Sequence, residues 1–264
     1  MDKTTWIGVG LGIIAVVLGM ILKGVGFDVL LNPAAVLIII IGTAASVITA
    51  FPTSEIKRVP KIVGILFKEK NIMDSEELIR QFSDWAQLAR KEGLLSLEAR
   101  ISEVEDPFLK NGLLLAVDGQ SADYIRDVLN EEIDAMEERH LSGAQIFTQA
   151  GTYAPSLGVL GAVIGLIAAL GNMSDMDVLG EAISAAFVAT MLGIFTGYIL
   201  WHPFANKLKR KSKIEAKQKR IMIEGILSIL EGESPRVIEQ KLSSYLPGIQ
   251  RTVFLNESSV TMDE

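Results

Sequence analysis

An all-α integral membrane protein is the fold class this sequence predicts, with four transmembrane helices and a helical cytoplasmic domain inserted between the second and third. Three observations predict it. The 264 residues are 49% hydrophobic with a mean hydropathy of +0.36, too apolar for an ordinary soluble domain. Four apolar runs free of Asp, Glu, Lys and Arg each approach the length that a bilayer core demands of a helix. Between and beyond those runs the apolar residues recur at helical spacing, and no strand-like alternation is present.

The runs place spans near 5–22, 33–51, 154–171 and 182–201. The first, from Trp6 to Leu22, lacks a small-x-small cleavage site and ends at Lys23, which argues against a removed signal peptide. Pro33 suits the first turn of the second span, with Asn32 as its cap. Lys57, Arg58, Lys61, Lys68 and Lys70 follow the second span, and Lys207, Lys209, Arg210, Lys211 and Lys213 follow the fourth. The outer links carry only Lys23 and Asp28, then Asp175, Asp177 and Glu181. The basic bias puts both termini and the long middle segment in the cytoplasm. The expected organisation is a transmembrane hairpin at 1–51, a cytoplasmic helical domain at 52–151, a second hairpin at 152–203 and cytoplasmic C-terminal helices and tail at 204–264.

Within the middle segment, Asp74-Ser-Glu-Glu77 has the form of a capping box for a helix carrying Leu78, Phe82, Trp85 and Leu88. Asp106-Pro107 opens another, with Phe108, Leu109, Leu113 and Leu115 on its apolar side, broken at Asp118-Gly-Gln-Ser121. From Ala122 a long helix runs through Ile125, Leu129, Ile133 and Met136, then Ile146-Phe147, into the third span. A basic helix, Asn206–Leu230, extends the fourth span, and Ser234-Pro235 starts one more to about Tyr245. The remainder from Pro247 lacks periodicity and is expected to be loose.

The third and fourth spans differ from plain anchors in their small residues. Gly158, Gly161 and Gly165 follow helical spacing in one; Ala186, Thr190, Gly193 and Gly197 fall on one face of the other. Lipid gives helices no hydrophobic reason to associate, so small residues that allow close backbone approach are the expected packing surface.

Composition excludes several functions. No cysteine is present, and the two histidines, His140 and His202, are far apart in sequence, so thiol chemistry and multi-histidine metal centres are ruled out. A net charge of −7 argues against nucleic acid. Gly158-Val-Leu-Gly161 has no preceding strand and is not a nucleotide loop. The run Glu131, Glu132, Asp134, Glu137 and Glu138 reads as a solvated helix face. Ion-coupled machines usually keep an ionisable group in the membrane, and these spans have none. Either there is no ion path, or a partner helix supplies the carboxylate and the small-residue face with Thr190 lines the way.

Thr152-Tyr-Ala-Pro-Ser-Leu-Gly-Val-Leu-Gly-Ala-Val-Ile-Gly-Leu166, Leu88-Ala-Arg90-Lys-Glu-Gly-Leu-Leu-Ser-Leu-Glu98 and His202-Pro-Phe-Ala-Asn-Lys-Leu208 resemble the MotA family of flagellar-motor stator subunits, over nearly the whole chain. The wider family includes the TolQ and ExbB energisers of envelope transport, which share the last spans and form the alternative reading; the four-span layout and the Arg90/Glu98 stretch separate the two. The resemblance implies an ion-conducting homopentamer in the bacterial cytoplasmic (inner) membrane, not an enzyme. It surrounds the single spans of MotB-type subunits that supply the membrane Asp and anchor to peptidoglycan. It further implies torque on the rotor protein FliG through Arg90 and Glu98, an ion path at Thr190 and Ala162, and coupling hinges at Pro155 and Pro203. No cofactor is implied. Ala189-Thr190-Met-Leu-Gly193 resembles the proton-type pattern rather than the paired threonines of sodium-type relatives, so H+ is the expected ion and Na+ the other.

Overall fold

Four helices carry the apolar runs. A computed structural model describes residues 3–26, 30, 32–68, 73–171 and 175–261, the last with side chains as far as 257. Asp28 and Lys70, named above, lie outside the described residues, as do 262–264 of the C-terminal tail. In order come α1 (Lys3–Leu22), α2 (Pro33–Ala50), α3 (Thr53–Ile56), α4 (Val59–Phe67), α5 (Ser75–Glu92), α6 (Glu98–Ile101), α7 (Pro107–Val117), α8 (Ala122–Leu170), α9 (Met176–Leu230), α10 (Pro235–Leu242) and α11 (Gly248–Thr261). No strand occurs among the described residues. Helices α1, α2, α8 and α9 are each long and apolar enough to cross a membrane.

The chain divides into two compact units: 1–70 with 139–210, and 71–138 with 211–264. These do not follow the boundaries expected at 51, 151 and 203. Residues 52–70 and 139–151 belong with the spans, and 211–264 belong with the middle segment. The reason is continuity: α8 and α9 run unbroken past the ends of their apolar stretches, so each contributes residues to both units.

In the first unit Asn32 accepts a hydrogen bond from the Ala35 N–H at 3.1 Å, and Pro33 occupies the first turn, as the sequence predicts. Two single π turns interrupt the spans, at Leu37–Ile41 and Thr196–Trp201. The second lies directly before Pro203, which has no N–H for the usual bond to residue 199, and the His202 N–H reaches back to Gly197 O. The fourth helix starts at Met176 rather than near Ala182. Asp175 caps it through the N–H groups of Asp177 and Val178 at 3.1 and 3.3 Å, so Asp177 and Glu181 lie in its first turns and not in a link. Helix α4 turns back onto α1: Thr5 Oγ1 donates to Leu66 O at 2.9 Å, and the rings of Trp6 and Phe67 meet at 4.8 Å.

The second unit encloses an aqueous-type core. Leu78, Ile79 and Phe82 of α5, Phe108, Leu109 and Leu113 of α7, Leu129 of α8, Ile226 of α9 and Ile238 of α10 are all buried. Each such side chain contributes about 1.5–3 kcal/mol on burial. Asp106 caps α7 through the N–H groups of Phe108 and Leu109. The expected capping box before α5 does not form: Asp74 holds the cap position with extended backbone, but its side chain makes no capping hydrogen bond. Leu115 is only half-buried, one step off the buried side of α7. The tail is also corrected. Residues 248–261 form a helix whose Phe254 is fully buried in this core.

Candidate functional site

Gly158, Gly165, Gly193 and Gly197 of the third and fourth spans lie against the backbone of the facing span. A Cβ built on Gly158 would sit 2.8 Å from Ala189 O and 3.1 Å from Gly193 Cα. On Gly193 it would sit 2.7 Å from Ala154 O and 2.9 Å from Gly158 Cα. Gly165 meets Ala186 Cβ at 3.2 Å, and Gly161 meets Ala189 Cβ at 3.2 Å. Gly197 faces Gly151 O at 2.9 Å and the Pro155 ring at 2.8 Å. This is one antiparallel seam in which Cα–H groups point at carbonyl oxygens, a weak attraction available only where no side chain intervenes. The proline adds to it. Pro155 has no N–H to offer Gly151 O, and that carbonyl is the one Gly197 approaches.

Thr190 and Ala162 flank the seam. At about 100° per residue, each lies roughly 60° round from the mean line of its own helix's small residues. Because the helices are antiparallel, those displacements fall on the same side, so both residues border one edge of the seam. Both are half-buried. Thr190 Oγ1 donates to Ala186 O at 3.3 Å, which uses its only proton within the helix and leaves oxygen lone pairs as acceptors on that edge. Pro203 is exposed, beyond the π turn and below the seam.

Arg90 and Glu98 belong to the second unit, and both are exposed. Arg90 is in the last turn of α5, favourable against the helix C-terminus. Gly93 then takes φ +87° with ψ 163°, a region closed to other residues, and turns the chain into a 3-10 turn at Leu94–Leu97. Leu97, 1% exposed, pins that turn to the core and fixes where Glu98 begins α6. Among the described residues neither Arg90 nor Glu98 enters an ion pair, whereas Arg100 pairs with Glu103 at 3.5 Å. Both charges are therefore presented to solvent from a rigid mount, with Leu95 exposed between them.

Known proteins match this arrangement over its full length. A model of the MotA/TolQ/ExbB proton channel family matches residues 100–221. Motility protein A of Bacillus subtilis (strain 168) is 64% identical over 264 residues, covering 100% of this chain and 98% of that one. The chain belongs to this family. The structure of the flagellar MotAB stator complex from Bacillus subtilis aligns with a TM-score of 0.92 at 66% identity, over 96% of this chain and 99% of that one. The structure of C. jejuni MotAB aligns at 0.89 and 33% identity, over 94% and 97%. The protein is a flagellar stator subunit, an ion-channel component of a motor and not an enzyme.

In this stator subunit a Cβ on any of Gly158, Gly161, Gly165, Gly193 or Gly197 would come within 3.2 Å of an atom of the facing span. Gly151 was not named from the sequence; a Cβ there would sit 2.8 Å from the His202 ring. The signal was available, since Gly151 precedes Gly158 by seven residues. Gly12 against Ile199 and Gly42 against Leu157 were also missed; they join spans distant in sequence, which one helix's periodicity does not register.

Proposed function

We propose that this subunit conducts protons together with a MotB-type partner, five copies surrounding the partner's single spans, and turns that flow into torque on a FliG-type rotor protein. The observation that carries the reading is the seam without charge. Its edge offers the Thr190 hydroxyl and the small Ala162, but no ionisable group. A path that needs a titrating carboxylate must then take it from another chain, here the partner's membrane Asp, with the partner anchored to peptidoglycan. The two solved relatives, both MotAB complexes, support that partner.

Proton rather than sodium flow is supported at position 189. Ala189 is 2% exposed, with its Cβ facing Gly161 and its carbonyl oxygen facing Gly158, so the second threonine of sodium-type relatives would have to fit inside that contact. Lys57, Arg58, Lys61 and Lys68 after α2, with Lys207, Lys209 and Arg210 in α9, support an inner-membrane orientation with both termini cytoplasmic. Arg90 and Glu98 are then the charges that meet the rotor, and Pro155 and Pro203 are the hinges that link the ion path to movement. One charge crossing about 100 mV releases roughly 2.3 kcal/mol, enough to shift a packed helix pair between two arrangements.

The test is the swimming speed of cells carrying this protein and its partner, with proton potential and external sodium varied independently. Speed following proton potential and ignoring sodium is the expected result. Speed following sodium overturns the ion assignment and leaves the stator subunit in place.

A further inference from the structure

Past Gly197, the last glycine of the uncharged seam, the first unit places an imidazole. His202 is half-buried and is the first residue after the π turn at Thr196–Trp201. Its ring covers Gly151 of α8: a Cβ there would sit 2.8 Å from Cγ and Cδ2 and 2.9 Å from Cε1. Distances so nearly equal mean that the face of the ring, not an edge, lies on the glycine. The ring of Tyr198, 63% exposed, stands 5.4 Å away. Both contacts use the carbon faces. Among the described residues neither ring nitrogen of His202 bonds to the chain, and neither is sealed off as a buried unpaired atom.

The π turn decides where this imidazole stands. His202 is twelve residues past Thr190, a rotation of about 120° round a regular α-helix. A single π turn takes in one extra residue, which sets the side chains after it back by about 100°. His202 therefore returns to within about 20° of the line through Thr190. On α8, Gly151 is eleven residues before Ala162 and also falls within about 20° of that residue's line. Both helices thus carry the Thr190 and Ala162 edge on to the contact of His202 with Gly151, about 18 Å further along. Neither α9 between Thr190 and His202 nor α8 between Gly151 and Ala162 contains Asp, Glu, Lys or Arg. His202 is the first group along this edge whose charge changes near neutral pH.

We propose that His202 is the exit group of the proton path, receiving each proton that has passed the seam and delivering it to the cytoplasm. The assignment deepens the stator reading above and rests on it. The partner's carboxylic acid loses its proton to water on the Thr190 edge, and that water passes a proton to the unprotonated ring nitrogen of His202. The imidazolium so formed releases a proton to cytoplasmic water, and the neutral ring is restored. Gly151 lets the ring lie on the backbone and so holds it at the end of the edge.

The test measures rotation at light and heavy load in cells carrying the full chain and its partner. A heavy load makes movement the slow step, and a light load leaves ion transfer to set the pace. His202→Gln keeps the bulk and cannot carry the proton. It is expected to lower light-load speed on the order of tenfold, less than the full loss of a general acid–base group because water remains, and to leave heavy-load speed unchanged. His202→Ala leaves a ring-sized space over Gly151, so added imidazole should restore its light-load speed and do nothing for His202→Gln. Wild-type light-load speed in His202→Gln, an equal fractional loss at both loads, or no rescue of His202→Ala overturns the proposal. The second of these would make the ring a packing element on Gly151. Wild-type speed that follows sodium instead of the proton potential overturns the proton reading before any variant is compared, and the exit assignment with it.

Discussion

The two units of this chain solve the same packing problem with opposite materials. In the first, α8 and α9 meet backbone to backbone through Gly158, Gly193 and Gly197, with carbonyl oxygens where side chains would be. In the second, Phe82, Phe108, Leu113 and Ile226 interdigitate as large side chains, and ion pairs such as Arg126–Glu224 ornament the edge at 3.6 Å, worth little each. The difference follows from the solvent. Lipid is as apolar as leucine, so a large side chain gains nothing by leaving it, and only close contact remains to hold helices together. Water rewards burial itself. A glycine therefore means different things in the two places, and substitution should expose that.

The largest effect is expected at the seam. Gly193→Ala puts a methyl 2.7 Å from Ala154 O and 2.9 Å from Gly158 Cα, both backbone, so neither neighbour can rotate away. The helices must separate along the seam, at the upper end of the roughly 1–3 kcal/mol typical of overpacking. Co-purification with the partner subunit and swarming are both expected to be lost. An assembled complex with an unchanged melting temperature would remove the argument that this contact is rigid.

Two glycines of the second unit grade the comparison. A Cβ on Gly225 meets the Phe82 ring at 2.6 Å, and that ring is fully buried, so Gly225→Ala is expected to destabilise by about 1–2 kcal/mol. On Gly112 it meets only Ile226 Cδ1 at 2.5 Å and Leu129 Cδ1 at 2.9 Å, the far ends of flexible side chains. There the helix-propensity gain of about 1 kcal/mol over glycine offsets the shift, and Gly112→Ala should be close to neutral. Thermal melting of the purified complex ranks the three. Equal damage at Gly112 and Gly193 would break the distinction between yielding and unyielding neighbours.

How much was legible in the sequence divides along the same line. The spans, the seam glycines and the Asn32 and Asp106 caps are local patterns, and the physics that makes them is local too. The missed elements depend on distant residues. Helix α11 has one fully buried anchor, Phe254, too few to produce periodicity; it is held by the Arg80 guanidinium 4.9 Å over that ring and by Arg80–Glu257 at 2.8 Å. The start of α9 was hidden because Asp177 and Glu181 look like link residues until Asp175 is seen capping the turn. The proposed Arg90/Glu98 site rests on family resemblance alone. Two exposed charges on either side of a Gly93 turn carry no local sign of function, and their rigidity comes from Leu97, which points the other way.

That site supplies the smallest expected effect on stability and the sharpest contrast with the seam. Arg90 and Glu98 touch no charged neighbour among the described residues, so Arg90→Glu or Glu98→Arg should leave melting within about 0.5 kcal/mol of wild type. Swimming is a different readout. If these charges meet complementary ones on the rotor, a single reversal sets like charges face to face, and speed should fall to roughly half or less. Reversing the facing rotor charge should restore speed without altering the melting of this protein, because the compensation acts across the contact. A reversal that melts early instead would make Arg90 a helix-terminus charge with a structural role. One that swims normally at every load would leave Leu95, exposed between the two charges, as the feature of this surface still able to carry torque.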